Sequence, residues 1–238
     1  VFIDITRIKK LENIRKDFIA NLSHELRTPV AVIRANSESL VDGALDDKEI
    51  AQKFSNAILK NSEKLSYLLE DILNLSTIES GEYNLELKEN GVSDIFETSI
   101  NSVLSNNPEV KIINNISSDI KVICDIKALS QVIDNLIENS LKYGITEESN
   151  EIIINMKDQG SKARFEIEDH GEGIPLDQRE RVFERFFRIQ NSNTSLKEGT
   201  GLGLSIVKNL INLMGGSVGN EKAYPEGTIF WFTLNKKN

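Results

Sequence analysis

The apolar residues Leu11, Ile14, Phe18, Leu22 and Leu26 recur at three- and four-residue steps, which predicts a long amphipathic helix over Ile8 to Leu40. The polar stretch Asp42 to Asp47, DGALDD, follows as a short loop, and two of its three aspartates can cap a second helix. That helix carries Ile50, Phe54, Ala57, Asn61, Lys64 or Leu65, Leu68, Ile72 and Leu75 in an alternating four-three seam and stops near Ser80-Gly81. Two long helices joined by a tight loop make an antiparallel hairpin. Its apolar stripe is half covered, and a second copy would complete a four-helix bundle, so a homodimer is expected.

From Tyr83 the period changes. Short apolar runs at Leu85 to Lys88, Lys111 to Asn114, Lys121 to Cys124, Glu151 to Lys157, Arg164 to Glu168 and Thr228 to Leu234 predict strands. Helices are predicted near Ser93 to Ser105, Ile126 to Tyr143 and Leu202 to Met214. Strands and helices mix without strict alternation, which suits an α/β sandwich, a sheet with helices on one face. The polar run Gln190 to Glu198, QNSNTSLKE, reads as a mobile loop or lid between two candidate site motifs. The opening VFIDIT alternates like the last strand of something larger and lacks a starting methionine, so a cut piece is expected, with sensing or transmembrane parts in front of it.

Composition narrows the function classes. Hydrophobic residues make up 39% of 238, enough for real cores, and a net charge of −9 argues against a nucleic-acid surface. The single cysteine, Cys124, cannot form an internal disulfide, suits a reducing compartment and reads as a small core residue. No apolar run approaches the roughly 20 residues that span a bilayer, and no signal-peptide pattern is present, so the chain as given is expected to be soluble.

Candidate chemistry lies in five stretches. Phe18 to Val30, FIANLSHELRTPV, holds one of two histidines, His24, with Thr28 one turn along the same helical face and Pro29 behind it. Proline deprives the Glu25 carbonyl of its helical partner, which puts a kink in the turn that carries the histidine. A neutral imidazole is a nucleophile when its other nitrogen donates to a carboxylate, and Glu25 is the nearest. Ile133 to Tyr143, IDNLIENSLKY, sets Asn135 and Asn139 four apart, with Lys142 and Tyr143 one turn on. Amide oxygens beside a lysine suit Mg²⁺ shared with phosphates. Asp169 to Ile174, DHGEGI, follows a predicted strand; its aspartate can accept from an exocyclic amine, while Gly171 and Gly173 allow close backbone approach. His170 reads as exposed rather than catalytic. Glu198 to Leu204, EGTGLGL, places Gly199, Gly201 and Gly203 before an apolar helix, where unpaired N–H groups attract phosphate. In RVFERFFR, Phe183, Phe186 and Phe187 read as core packing, which leaves Arg185 or Arg188 to face phosphate.

In this order and spacing the five stretches closely resemble the sequence boxes of class I sensor histidine kinases, from about Ile8 onward. HELRTP resembles the phosphoacceptor box, NLIENSLKY the N box, DHGEGI and GTGLGL the two glycine boxes, and FERFFR the F box. The resemblance implies the remnant of a PAS-like sensor at 1–7, a dimerisation and phosphotransfer hairpin at 8–81 and a Bergerat-type (GHKL) ATP-binding domain at 82–238. It implies that ATP phosphorylates His24 with Glu25 as base, and that the phosphoryl group passes to an aspartate of a response regulator. Thr28 would position water to dephosphorylate that partner. Asn139 would hold Mg²⁺, Asn135, Lys142 and Tyr143 would line the triphosphate, and Asp169 would read the adenine. Gly171, Gly173, Gly199, Thr200, Gly201, Leu202 and Gly203 would shape the nucleotide pocket with Arg185 and Arg188. The opening residues suggest kinases of the phosphate-starvation type, and the family implies a cytoplasmic portion of an inner-membrane sensor. Ser140 departs from the alanine common in the N box.

Two rivals share the fold or the dimer. ATPases such as gyrase and mismatch-repair clamps place a glutamate four residues before the Mg²⁺ asparagine to activate water; Asn135 stands there instead, and an amide is no general base. A degenerate kinase acting as a dimeric binding module would be expected to have lost some of the phosphate-handling positions, and all of them are present.

Overall fold

The computed structural model describes residues 6–146, 149–189 and 199–237. The chain divides into two compact units, Val1–Leu75 and Ser76–Asn238, so that the division falls inside the second helix. The VFIDI of the expected upstream strand and the expected lid at 190–198 lie outside the described residues.

The first unit is the predicted helical hairpin. Helix α1 (Thr6–Val41) runs through Pro29 without a break, and α2 (Lys48–Ser80) follows after a 3-10 turn at Ala44–Asp46. Gly43, at φ 119, reverses the chain in a conformation that only glycine adopts without cost. Of the three aspartates in this turn, Asp47 is the cap: its Oδ1 accepts from the backbone N–H groups of Glu49 at 3.0 Å and Ile50 at 3.1 Å. The predicted seam is the better-buried face of α2, with Leu68 and Leu75 fully inside. Other apolar residues, among them Ile19, Val30, Leu59 and Leu73, are left more than half exposed. At its end Gly81, φ 74, lets Glu82 and Tyr83 donate back to the Thr77 carbonyl, both at 3.1 Å.

The second unit is the α/β sandwich. Strands β1 (Lys88–Gly91) and β3 (Lys121–Cys124) pair antiparallel. The main sheet, ordered β2-β4-β5-β7-β6, contains β2 (Lys111–Asn114), β4 (Glu151–Asp158), β5 (Lys162–Asp169), β6 (Ser217–Lys222) and β7 (Thr228–Asn235). Only the β2–β4 pair is parallel among the described strands. Helices α3 (Ser93–Asn106), α4 (Ile126–Tyr143) and α5 (Gly203–Leu213) supply the other layer, and Phe96 of α3 stacks on Phe165 of β5 and that on Phe232 of β7, at 5.5 and 5.1 Å. Along β5, buried Ala163, Phe165, Ile167 and Asp169 share one face, as the two-residue strand period requires. The core face therefore ends in a carboxylate. On the opposite face Glu166 is buried under Lys157 and Arg164, both at 2.8 Å, and Arg164 lies over Trp231 at 4.5 Å.

Three elements differ from expectation. Strand β1 begins where the predicted Leu85 to Lys88 run ends, because the ladder follows its partner β3 rather than the apolar alternation. Strand β6 was not predicted: its SVGNEK is polar, and Gly219 is there to make room for the Trp231 indole. Of the three phenylalanines expected in the core, Phe183 is buried and meets Phe230 edge-on at 6.3 Å. Phe186 and Phe187 are only half-buried, Phe187 beneath the Arg181 guanidinium at 4.4 Å.

Candidate nucleotide site and phosphoacceptor helix

In the helical unit His24 and Thr28 are exposed on α1 and Glu25 is half-buried. Among the described residues no side chain bonds to the His24 imidazole, and the Glu25 carboxylate is equally unengaged. The Thr28 hydroxyl donates to the His24 carbonyl at 3.3 Å, and Pro29, which has no N–H to donate to the Glu25 carbonyl, is buried.

In the α/β unit the predicted motifs converge on the last three turns of α4. The helix starts firmly, with Asp125 accepting from the Ala128 N–H at 2.9 Å, and its buried face runs from Leu129 through Ile133, Leu136 and Ile137 to Ser140. That burial fixes its rotation and leaves Asn135 and Asn139 at the margin, both half-buried. Asn135 donates to the Gln131 carbonyl at 2.8 Å, so its Oδ1 faces Gly203 at the start of α5, where any side chain would strike it. Nothing among the described residues bonds to the Asn139 amide. Lys142 is held at the surface by Glu138 at 3.0 Å. Tyr143 is gripped from both glycine motifs: a Cβ on Gly171 would collide with its carbonyl, and one on Gly199 would come within 3.6 Å of its hydroxyl.

The second glycine motif is anchored as well as close. Gly201, φ 70, accepts from the Phe186 N–H at 2.8 Å, and Phe186 itself takes a positive φ of 59 to make that bond. Thr200 Oγ1 accepts from the Leu202 N–H at 3.2 Å, beside the first turn of α5. Gly173, φ 74, lies against the Gly227 carbonyl. Arg185 and Arg188 are half-buried in the preceding segment, and burial lowers the Arg185 pKa from its ordinary value.

Asp169 is the most constrained group. Its Oδ1 accepts from the backbone N–H groups of Gly171 at 3.1 Å and Thr228 at 3.2 Å, while Oδ2 has the Ser140 hydroxyl at 3.5 Å. Burial pushes its pKa up to about 6 against the two backbone donors, the neighbouring His170 and Ser140, which pull it down. The sign for stability is that of a raised acid: this carboxyl favours the folded state at low pH, and its contribution fades as pH rises from about 4 through about 6. An amine-accepting role has the opposite pH dependence, because only the ionised carboxylate accepts at both oxygens. Affinity for an adenine nucleotide should therefore fall as pH drops through about 6. Calorimetric titration with ADP from pH 8 to pH 5 checks this, and flat affinity would detach Asp169 from the base.

Four supports of Asp169 were not read as site residues from the sequence. Ser140 stood out there only as a departure. Gly144 sits directly under the Asp169 side chain, with no space for a Cβ, and Gly227 similarly abuts the Asp169 carbonyl beside Thr228. The position of Gly144 just after the asparagine motif is a weak signal; Gly227 and Thr228 are brought in by β5–β7 pairing, which spacing does not disclose.

Comparison with known proteins identifies the two domains. The model of the His Kinase A (phospho-acceptor) domain matches residues 14–81. That of the Histidine kinase-, DNA gyrase B-, and HSP90-like ATPase matches 124–238. Sensor histidine kinase WalK of Bacillus subtilis is 32% identical over 239 residues, covering 100% of this chain and 39% of its own length. This chain belongs to the sensor histidine kinases. It carries their phosphoacceptor and ATPase domains and spans about two-fifths of that relative's length. In fold it resembles Acinetobacter baumannii histidine kinase AdeS, with a TM-score of 0.72 at 24% identity over 90% of this chain and 98% of that one. It also resembles histidine kinase ThkA, solved in complex with the response regulator protein TrrA, with a TM-score of 0.71 at 22% identity over 98% of this chain and 65% of that one. The gyrase-type alternative gives way, since a sensor kinase's phosphoacceptor domain precedes the ATPase domain. The placement with phosphate-starvation kinases finds no support in these matches. No helix among the described residues is long and apolar enough to cross a membrane.

Proposed function

We propose that the protein transfers the γ-phosphoryl group of ATP to His24, passes it to an aspartate of a response-regulator receiver domain and later dephosphorylates that partner. The observation that carries the reading is the convergence on α4 of two acceptors with capacity to spare, the Asn139 amide, to which nothing among the described residues bonds, and Oδ2 of Asp169, which has the Ser140 hydroxyl at 3.5 Å, between two anchored glycine motifs. The first suits the metal-bound triphosphate and the second the adenine amine. A neutral, half-buried amide oxygen with no competing bond fits Mg²⁺, which prefers hard oxygen ligands and shares its sphere with phosphate and water. When bound, the ion would offset phosphate charge. Asn135, its Nδ2 committed to the backbone, presents another amide oxygen beside Gly203, and Tyr143, Thr200, Leu202 and the motif glycines frame the nucleotide. Lys142, Arg185 and Arg188 supply positive charge at its margin.

Catalysis of phosphoryl transfer rests on positioning and charge neutralisation. A ring nitrogen of His24 forms the new bond to phosphorus as the bond to the β–γ bridging oxygen breaks, and ADP departs. Glu25, next in the chain and unengaged, takes up the ring proton. The Thr28 hydroxyl has spent its one proton on the His24 carbonyl, so its oxygen is left to accept from water on the face that carries the histidine.

The apolar side chains left exposed on the hairpin support a homodimer, in which a second copy covers them. The complex that the ThkA structure holds supports a receiver domain as partner. The fraction of WalK spanned supports a larger parent, tied to the membrane through segments outside this chain. Given γ-labelled ATP, Mg²⁺ and a receiver domain, the chain should pass label to the receiver and then release it as phosphate. Thr28→Ala should keep the transfer and slow the release about 10- to 100-fold, the range of a lost acid–base or water-positioning group. Equal loss of both steps would make Thr28 a structural residue.

A further inference from the structure

Among the described residues, Ser140 is the one fully buried hydroxyl that hydrogen-bonds to the proposed base-reading carboxylate. It lies on the core face of α4 one turn before Gly144, with no exposed surface, and its Oγ is 3.5 Å from Asp169 Oδ2. The two oxygens of Asp169 are unequal. Oδ1 is saturated by the backbone N–H groups of Gly171 and Thr228, whereas among the described residues Oδ2 has Ser140 alone. Gly144 closes the side of Asp169 toward α4, so the carboxylate cannot turn that way.

We propose that Ser140 is a positioning residue that, beside the backbone donors on Oδ1, holds Oδ2 of Asp169 as an unprotonated acceptor and thereby sets the discrimination between 6-amino and 6-oxo purine nucleotides. The inference rests on the nucleotide reading above. A hydroxyl that donates to Oδ2 leaves that oxygen one lone pair, matched to a hydrogen of a 6-amino group. A 6-oxo group would bring an acceptor against an acceptor, and a buried site rejects such a mismatch strongly. Removing the Ser140 donor leaves Oδ2 without its hydroxyl partner and makes it easier for that oxygen to hold a proton. A protonated carboxyl can donate to a 6-oxo group, so selectivity falls from both sides. The neighbouring His170 and the three donors are the groups that hold this carboxyl in its ionised form.

The test is calorimetric titration of the 238-residue chain and its Ser140→Ala variant with ADP and with IDP, which carry a 6-amino group and a 6-oxo group with its N1 proton respectively. Alanine is the best helix former, so the variant should fold, and a melting curve checks this. ADP affinity should drop about 3- to 10-fold, the range for one hydrogen bond to a charged group. The ADP-to-IDP preference should shrink by a similar factor, and the pH at which ADP binding is lost should move upward. In labelling assays KM for ATP should rise with kcat unchanged. A folded variant with the wild-type ADP-to-IDP ratio would overturn the role of Ser140 and leave the nucleotide reading intact. Failure of the wild-type chain to bind ADP at all would overturn both.

Discussion

Asp169→Asn should remove nucleotide binding while leaving the α/β unit folded. The change is isosteric, and the two backbone donors that hold Oδ1, Gly171 at 3.1 Å and Thr228 at 3.2 Å, decide which way the new amide lies. Its oxygen must take the place of Oδ1, because an NH₂ there would face two N–H groups in a buried site. The amide nitrogen is then forced into the place of Oδ2 and presents donors to the donor amine of an adenine. Affinity should fall by about 100- to 1,000-fold, as when a buried site built for a hydrogen bond is left with mismatched partners. Loss of the raised carboxyl should also remove the pH dependence near 6. Calorimetry with ADP checks both, and binding within about threefold of wild type would mean that the base is read elsewhere.

Gly227→Ala should be the most damaging single-methyl change in the α/β unit. Gly227 sits at φ 120, and a Cβ there would overlap the Asp169 carbonyl and press on the backbone of His170. Neither obstacle is the movable end of a side chain. Backbone strain and overpacking together should cost about 4 kcal/mol, and the register of Thr228 opposite Asp169 would slip with it. Melting curves should show an earlier transition, and ADP binding should weaken even well below it. A variant with wild-type melting and affinity would show that the β5–β7 junction does not hold the site. Gly81 and Gly160 are controls: both have positive φ, but a Cβ at either meets nothing within 4 Å.

The sequence disclosed what depends on near neighbours. Helical period and capping placed both helices of the hairpin, and α4, β2 and β3 begin and end where the apolar pattern does. The asparagines, Asp169 and the motif glycines were legible because backbone approach and amide ligation demand particular residue types at short spacing. Residues that act across the sheet were not. Thr228, 59 residues from Asp169, and its neighbour Gly227 matter through strand pairing, and Ser140 through the rotation of α4 that its buried neighbours impose. Strand β6 escaped notice because its glycine serves Trp231 on the neighbouring strand rather than its own apolar period. The Phe186 backbone, which at φ 59 reaches Gly201, shows why an aromatic cluster was misread as core: part of it serves a turn.

The central claim, that His24 receives the γ-phosphoryl group of ATP, is tested most directly by labelling. The chain and its His24→Ala variant are incubated with γ-labelled ATP and Mg²⁺, and the labelled protein is treated with acid and with base. Label that survives base, is lost in acid and is absent from the variant is the predicted result, since a phosphorus–nitrogen bond is acid-labile. Free phosphate with no label on the protein, or label that persists in His24→Ala, would contradict it.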